Sequence, residues 1–327
     1  MVDNISHTHM KFLTLLLAAC VGAAAESLAS ETSVHVEGPS GILRGTMLSP
    51  AAGPGAPTVL IIPGSGPTDR DGNNPLGIRA APYRFLAEAL AGRGVTTLRF
   101  DKRGLFGSSA AARDANDVRM SDYAADVRAW MTAAQKWTTA PCAWIAGHSE
   151  GSLVALVAAQ QPDGICGLIL IAGAGRRLGN VLRDQLRANP ANAPIVPQAL
   201  AAIGELEAGK RVDVDGLHPA LRGLFRPAVQ GFVIDQMSYD PVTLLAAYAG
   251  PVLVLQGTTD LQVSMQDAEN LRGARSNVTF VALEGVNHVL KVASAGRSAN
   301  LATYGDPKLP IAVSVVDAID QFLNRAR

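Results

Sequence analysis

Three residues far apart in the chain have the types needed for acyl transfer by a covalent route: Ser149, Asp260 and His288. A serine hydroxyl is a poor nucleophile at neutral pH, so it needs an imidazole within hydrogen-bond reach and a carboxylate behind it to fix the imidazole's tautomer. Ser149 stands in Gly147-His148-Ser149-Glu150-Gly151, a GxSxG pattern. The serine of such a pattern occupies a turn sharp enough to strain its backbone, which pushes Oγ above a sheet edge. Glycine is required on either side because strand and helix pass close together there.

Alone the pattern is weak, since a glycine-flanked turn between any strand and helix reads the same way. Its setting strengthens it. An apolar run over 143–146 reads as a strand, and the alanine-rich stretch to Gln160 as a helix whose N-terminus points at the reacting centre. Asp260 follows the strand expected over 252–255, and His288 follows the strand expected over 278–283. All three side chains therefore emerge at one sheet edge, in the order serine, acid, histidine. Asp235 and Asp240 compete as acids but lie in a helical insert. Among the other histidines, His148 is locked beside the serine, His218 is in a proline-flanked loop, His35 is in a hairpin, and His7 and His9 precede an N-terminal apolar run.

The elements that must position these residues begin with an antiparallel hairpin over 32–36 and 42–47, then a strand buried on both faces over 58–62. The polar, glycine-rich loop over 63–74 leaves the carboxyl end of that strand, where ligands bind in open α/β sheets. The Ser65 N–H on this loop is the candidate for one half of an oxyanion hole, and the Glu150 N–H for the other. Asp69, Arg70 and Asp71 are expected to satisfy one another within the loop, and Asp101 and Arg103 to pair across the turn after the strand over 95–100. Helical pieces over 176–249 make an insert longer than a crossover needs, expected to form a cap over the site. Leu224, Phe225, Phe232, Met237 and Tyr239 are candidates for its apolar wall, against the blander reading that they pack cap onto body.

Lys and Arg together number 28, as do Asp and Glu, and no long run of like charge appears, so neither nucleic acid nor an anionic membrane surface is implied as a partner. Lys11 followed by an apolar run over 12–25 reads as a signal peptide over 1–25 with cleavage after Ala25, giving an exported, periplasmic or secreted protein. The rival reading is a lipoprotein anchored through Cys20. Export leaves Cys142 and Cys166 open between a disulfide and two buried thiols, because each starts a strand and the two strands flank one crossover helix.

With these residues in place, the chain resembles the α/β-hydrolases, and more narrowly a bacterial esterase group with the motifs GSGPxDRDG (here 64–72), DKRG (101–104), GHSEG (147–151), GTTDLQV (257–263) and NHVLK (287–291). The likeness runs from about the first hairpin to the C-terminus. It implies a mostly parallel sheet of about eight strands with helices on both faces and a cap after strand 6, in a domain over 31–327. It also implies a serine hydrolase acting on small carboxylic esters, with no metal or organic cofactor. Pro63 departs from the histidine that many α/β-hydrolases carry before this loop, which bears on how the loop is braced. Alternatives on the same fold are an aminopeptidase-like peptidase, for which Glu205, Glu207, Asp213 and Asp215 could bind a free amine, and a thioesterase. A catalytically silent binding protein is the non-enzyme alternative. Dehalogenases and epoxide hydrolases of this fold use an aspartate nucleophile, and Ser149 argues against both.

Overall fold

A computed structural model describes residues 29–50 and 55–325. The expected signal peptide and the alternative anchor at Cys20 lie outside the described residues.

Eight strands form one sheet in the order β1-β2-β4-β3-β5-β6-β7-β8. The hairpin β1 (Ser30–Gly38) and β2 (Gly41–Ser49) is antiparallel, and β2 also runs antiparallel to β4 (Thr96–Phe100). From there β3 (Thr58–Ile62), β5 (Ala143–His148), β6 (Ile165–Ile171), β7 (Val252–Gly257) and β8 (Val278–Leu283) pair in parallel. Parallel strands covered on both faces read as near-continuous apolar runs. In β3, Leu60 and Ile62 accordingly face one core, and Val59 and Ile61 the other.

The first core is closed by α2 (Met120–Thr138), α3 (Glu150–Ala158) and α9 (Met265–Gly273), the second by α1 (Pro82–Ala91) and α11 (Val313–Arg325). Along α2 the expected stripe of Tyr123, Val127, Trp130 and Met131 is buried, and Trp130 stacks on Phe100 of β4 with ring centroids 5.5 Å apart. Full burial of such a side chain contributes about 1.5–3 kcal/mol. Helix α9 has no clear mark in the apolar pattern of the chain. Its few apolar residues give a weak stripe, but Ser264 and Asp267 form a capping box that marks its start.

Between β6 and β7 lie α4 (Leu178–Arg187), α5 (Val196–Glu207), α6 (Pro219–Arg222), α7 (Pro227–Met237) and α8 (Pro241–Ala247), while α10 (Arg297–Ala302) follows β8. The insert has a core of its own, and four of the five wall candidates are packing residues, Phe232 and Tyr239 against the body as the blander reading has it. Phe225 and Met237 are buried inside that core with Ile203 and Leu206. Phe232 packs edge-on against Tyr123 of the body and Tyr239 joins the same body core, while Leu224 is exposed.

Cys142 and Cys166 precede β5 and begin β6, which are neighbours in the sheet, and their sulfurs are bonded with Cα atoms 5.2 Å apart. Among the described residues, no helix is long and apolar enough to cross a membrane.

Candidate active site

Ser149 joins β5 to α3 with φ 54° and ψ −119°, a conformation that a residue with a side chain adopts only under strain. The flanking glycines explain how the turn closes. A Cβ on Gly147 would lie 2.2 Å from the Gly151 carbonyl oxygen, and one on Gly151 would lie 2.5 Å from that of Ile62. The Ser149 N–H donates to the Ile171 carbonyl at 2.9 Å, which ties the turn to β6. Ser149 itself is half-buried.

Asp260 and His288 meet at the same edge. His288 Nδ1 donates to Asp260 Oδ2 at 2.8 Å, with their side chains 6% and 1% exposed respectively. A carboxylate only accepts, so Nδ1 carries the proton and Nε2 keeps its lone pair free of one. Asp260 Oδ1 accepts the Gln262 and Val263 N–H groups at 2.7 and 3.0 Å, and Gln256 Nε2 donates to Oδ2 at 3.2 Å. Burial alone would raise the Asp260 carboxyl. The neighbouring His288 and the two backbone donors outweigh it and hold the pKa below the ordinary value.

The turns carrying acid and histidine are laced together. Thr258 and Thr259 N–H donate to the Leu283 and Val286 carbonyls at 3.0 and 3.1 Å, and a Cβ on Gly257 would lie 2.0 Å from the Val286 carbonyl oxygen. Asn287 Nδ2 reaches Asn300 Oδ1 at 3.1 Å and Thr303 Oγ1 at 2.7 Å, holding the histidine turn against α10.

His148 links the serine turn to the histidine turn, a role that sequence reading missed. Gly64 N–H donates to Tyr83 Oη at 2.9 Å, Tyr83 Oη lies 2.8 Å from His148 Nδ1, and His148 Nε2 lies 2.8 Å from the His288 carbonyl oxygen. The carbonyl can only accept, so Nε2 carries the proton, Nδ1 is bare, and the tyrosine hydroxyl donates to it. Each donor in this relay has its acceptor. Burial pushes the His148 pKa down to about 3, so the ring is neutral near pH 7. Its centroid is 4.8 Å from that of His288. Among the described residues Ser149 Oγ makes no hydrogen bond, and such contacts commonly tighten only when substrate arrives.

Ser65 is exposed on the loop after β3, and Glu150 is buried as the first residue of α3. Between them Gly64 lies against the elbow, where an added Cβ would be 3.5 Å from the Ser149 Cβ. Lys102 is also missed by the sequence reading, although it stands inside the DKRG motif. Its ammonium is buried and donates to the Gly64 carbonyl at 2.7 Å and to Glu150 Oε1 at 3.1 Å.

The charged motifs pair differently from expectation. Arg70 reaches out of its loop to Asp101, with Nε to Oδ2 at 3.1 Å, while Asp71 is held by Arg99 of β4. Asp69 instead accepts the Asp71 and Asn73 N–H groups. Arg103 grips Asp126 of α2 rather than Asp101, at 2.6 and 2.7 Å. Partners in neighbouring strands and helices outcompete those within one short turn because a planar guanidinium and a carboxylate pair best side by side. Among the rival acids, Asp240 caps α8 and Asp235 accepts the Met120 N–H at 2.8 Å. His218 caps α6 and His35 is exposed on β1. Among the described residues there is no cluster of three His, Cys, Asp or Glu arranged to hold a metal ion.

Comparison with known proteins bears on this arrangement. A family model described as serine aminopeptidase, S33, matches residues 77–203, a stretch that contains Ser149 but neither Asp260 nor His288. The chain is 24% identical over 263 residues to esterase EstD of Thermotoga maritima, covering 78% of this chain and 60% of that protein. It thus spans about three fifths of the length of this curated relative. Among solved structures, Est1E from Butyrivibrio proteoclasticus with ferulic acid bound superposes with a TM-score of 0.58 at 17% identity, covering 90% of this chain and 98% of that one. A thermophilic esterase from Thermogutta terrifontis gives 0.55 at 18% identity, covering 90% and 99%. The sheet order and these superpositions make this an α/β-hydrolase fold, and together the matches support a place for the chain in the α/β-hydrolase superfamily.

Proposed function

We propose that the chain is a serine hydrolase that cleaves small carboxylic esters through an acyl-enzyme. The observation that carries this reading is the buried His288–Asp260 pair at 2.8 Å, tied by the His148 bond at the His288 carbonyl to the residue that precedes the strained Ser149. His288 Nε2 takes the Ser149 proton as Oγ attacks the ester carbonyl. The oxyanion is received by the Ser65 and Glu150 N–H groups, and the alkoxide leaves with the proton from His288. Water, deprotonated by His288, then attacks the acyl carbon, and Ser149 recovers its proton as the acid departs. The cycle consumes one water and needs no cofactor. The Cys142–Cys166 bond suits an exported enzyme, since disulfides persist in oxidising compartments.

The description of the matching family favours a second reading, an aminopeptidase. Two of the four acids that would have to bind a free amine are already engaged: Glu207 forms two bonds to Arg183 at 2.5 and 2.7 Å, and Asp213 accepts the Asp215 N–H at 3.0 Å. Nitrophenyl esters of rising acyl length, with acyl thioesters and aminoacyl nitroanilides beside them, separate the readings when wild type and Ser149→Ala are run together. Serine-dependent turnover of short esters supports the esterase. Turnover of the anilides hands the assignment to the peptidase, and a wild-type protein that neither turns over nor reacts with a serine-directed phosphonate is a silent binding protein.

A further inference from the structure

Among the buried charges, Lys102 is bonded both to the loop that carries Ser65 and to Glu150. Lys102 is 3% exposed on its side chain, and Glu150, its partner, 4%. A buried ion pair is not by itself a stabilising device, because desolvation offsets much of the attraction, and an apolar pair of equal volume often serves as well. Lys102, however, does more than neutralise Glu150.

We propose that Lys102 is a positioning residue that sets both oxyanion donors through a single ammonium group; this rests on the esterase reading. The first donor, Ser65 N–H, belongs to the same peptide unit as the Gly64 carbonyl. In a trans peptide the C=O and N–H point in opposite directions, and among the described residues no peptide is cis. Lys102 Nζ, 2.7 Å from the Gly64 oxygen, draws the carbonyl to its own side and so turns the Ser65 N–H away from it. On the other flank of Gly64, the N–H is fixed by Tyr83 Oη at 2.9 Å. With both its polar groups held, Gly64 lets the next peptide plane rotate little.

The second donor is the N–H of Glu150, whose side chain is the other ligand of the same ammonium at 3.1 Å. The remaining face of the ammonium looks at the Tyr123 ring, 5.4 Å from its centroid. Both of its hydrogen bonds go to protein groups, so Lys102 acts from behind the peptide. Its charge also polarises that peptide. A carbonyl bonded to an ammonium leaves its amide hydrogen more positive, which strengthens the Ser65 donor as negative charge develops on the substrate oxygen.

The test uses Lys102→Met, Glu150→Gln and the double variant Lys102→Met/Glu150→Leu on the full chain. Nitrophenyl acetate turnover is read together with inhibition by an alkyl trifluoromethyl ketone, which forms a tetrahedral oxyanion on the serine. Loss of one oxyanion donor costs about 10²–10³ in kcat. Partial misalignment should therefore lower kcat roughly 30- to 300-fold in both Lys102 variants, with KM within about threefold and ketone affinity falling in step with kcat/KM. Glu150→Gln keeps the Lys102 bond to Gly64 and should lose less than about tenfold. The double variant removes both charges together and so stays informative if Lys102→Met alone fails to fold. A folded double variant with kcat and ketone affinity within about threefold of wild type overturns the proposal, as does a loss confined to KM or to thermal stability. If Ser149→Ala hydrolyses the ester as fast as wild type, the esterase reading itself has failed, a result distinct from failure at Lys102.

Discussion

Replacing Asp260 by asparagine changes one atom, and the surrounding bonds dictate how the new amide must turn. Oδ1 accepts two backbone N–H groups, from Gln262 and Val263 at 2.7 and 3.0 Å, so that position has to remain oxygen. Turning the amide the other way would leave both donors facing an NH₂. The NH₂ therefore takes the place of Oδ2, where it faces His288 Nδ1 and also Gln256 Nε2, another donor. To accept from that NH₂, His288 must shed its Nδ1 proton and carry it on Nε2, the nitrogen meant to accept from Ser149. The base is then in the wrong tautomer, and kcat should fall by about 10³–10⁴, or about 4–5.5 kcal/mol of activation free energy. Folding should suffer far less, by about 1–2 kcal/mol, because the backbone bonds to Oδ1 survive. Ester turnover of Asp260→Asn against wild type and Ser149→Ala, with a thermal melt as control, measures both quantities. A folded Asp260→Asn protein that keeps more than a tenth of wild-type kcat would refute the assignment of the acid.

Three further expectations concern the frame. The His148 pKa of about 3 lies below its ordinary 6.5, so unfolding takes up a proton that the folded chain refuses. Stability is then complete above about pH 6.5 and declines by up to about 1.4 kcal/mol per unit as pH falls towards 3; urea midpoints of His148→Gln should vary less with pH over that window. In Gly151→Ala the new Cβ meets the Ile62 and Pro63 carbonyl oxygens at 2.5 and 2.8 Å, both backbone atoms that cannot swing aside. A loss of about 3 kcal/mol, or failure to accumulate soluble protein, is expected on expression. Replacing Cys142 and Cys166 by alanine should lower stability by about 3 kcal/mol in a denaturant titration. The same variant should keep kcat within about twofold, because Cys142 and Ser149 lie at opposite ends of β5, roughly 20 Å apart at about 3.3 Å per residue.

The parts of the molecule governed by local pattern were legible in the chain. Continuous apolar runs marked the buried strands, and the glycines at 147 and 151 marked the elbow. The placement of Asp260 and His288 just past two strand ends predicted that they would meet, because the parallel topology brings those ends to one edge. Pairings between distant side chains were not legible. Arg70 finds Asp101 and Arg103 finds Asp126 because the folded chain brings them together, whereas sequence proximity alone suggested partners within each turn. Lys102 and His148 were hidden for the same reason, since their partners are set by the fold and not by spacing. The insert shows the complementary limit: Phe225 and Met237 are apolar both as substrate wall and as core, and only the packing of α5 and α7 tells which.

The bond between Cys142 and Cys166 encloses β5, the elbow and α3 in one covalent ring, with 24 positions separating the two cysteines. Parallel strands are slow to find each other because the whole crossover between them must lose its freedom before any pairing rewards it. Once oxidised, this chain keeps the starts of β5 and β6 together even when unfolded, so the crossover that creates the elbow begins from a closed loop. A left-handed serine costs about 1–3 kcal/mol, and cross-linking a loop of this length recovers about 3 kcal/mol from the unfolded ensemble. The strain at Ser149 and the link that compensates for it thus reside in the same short segment of the chain.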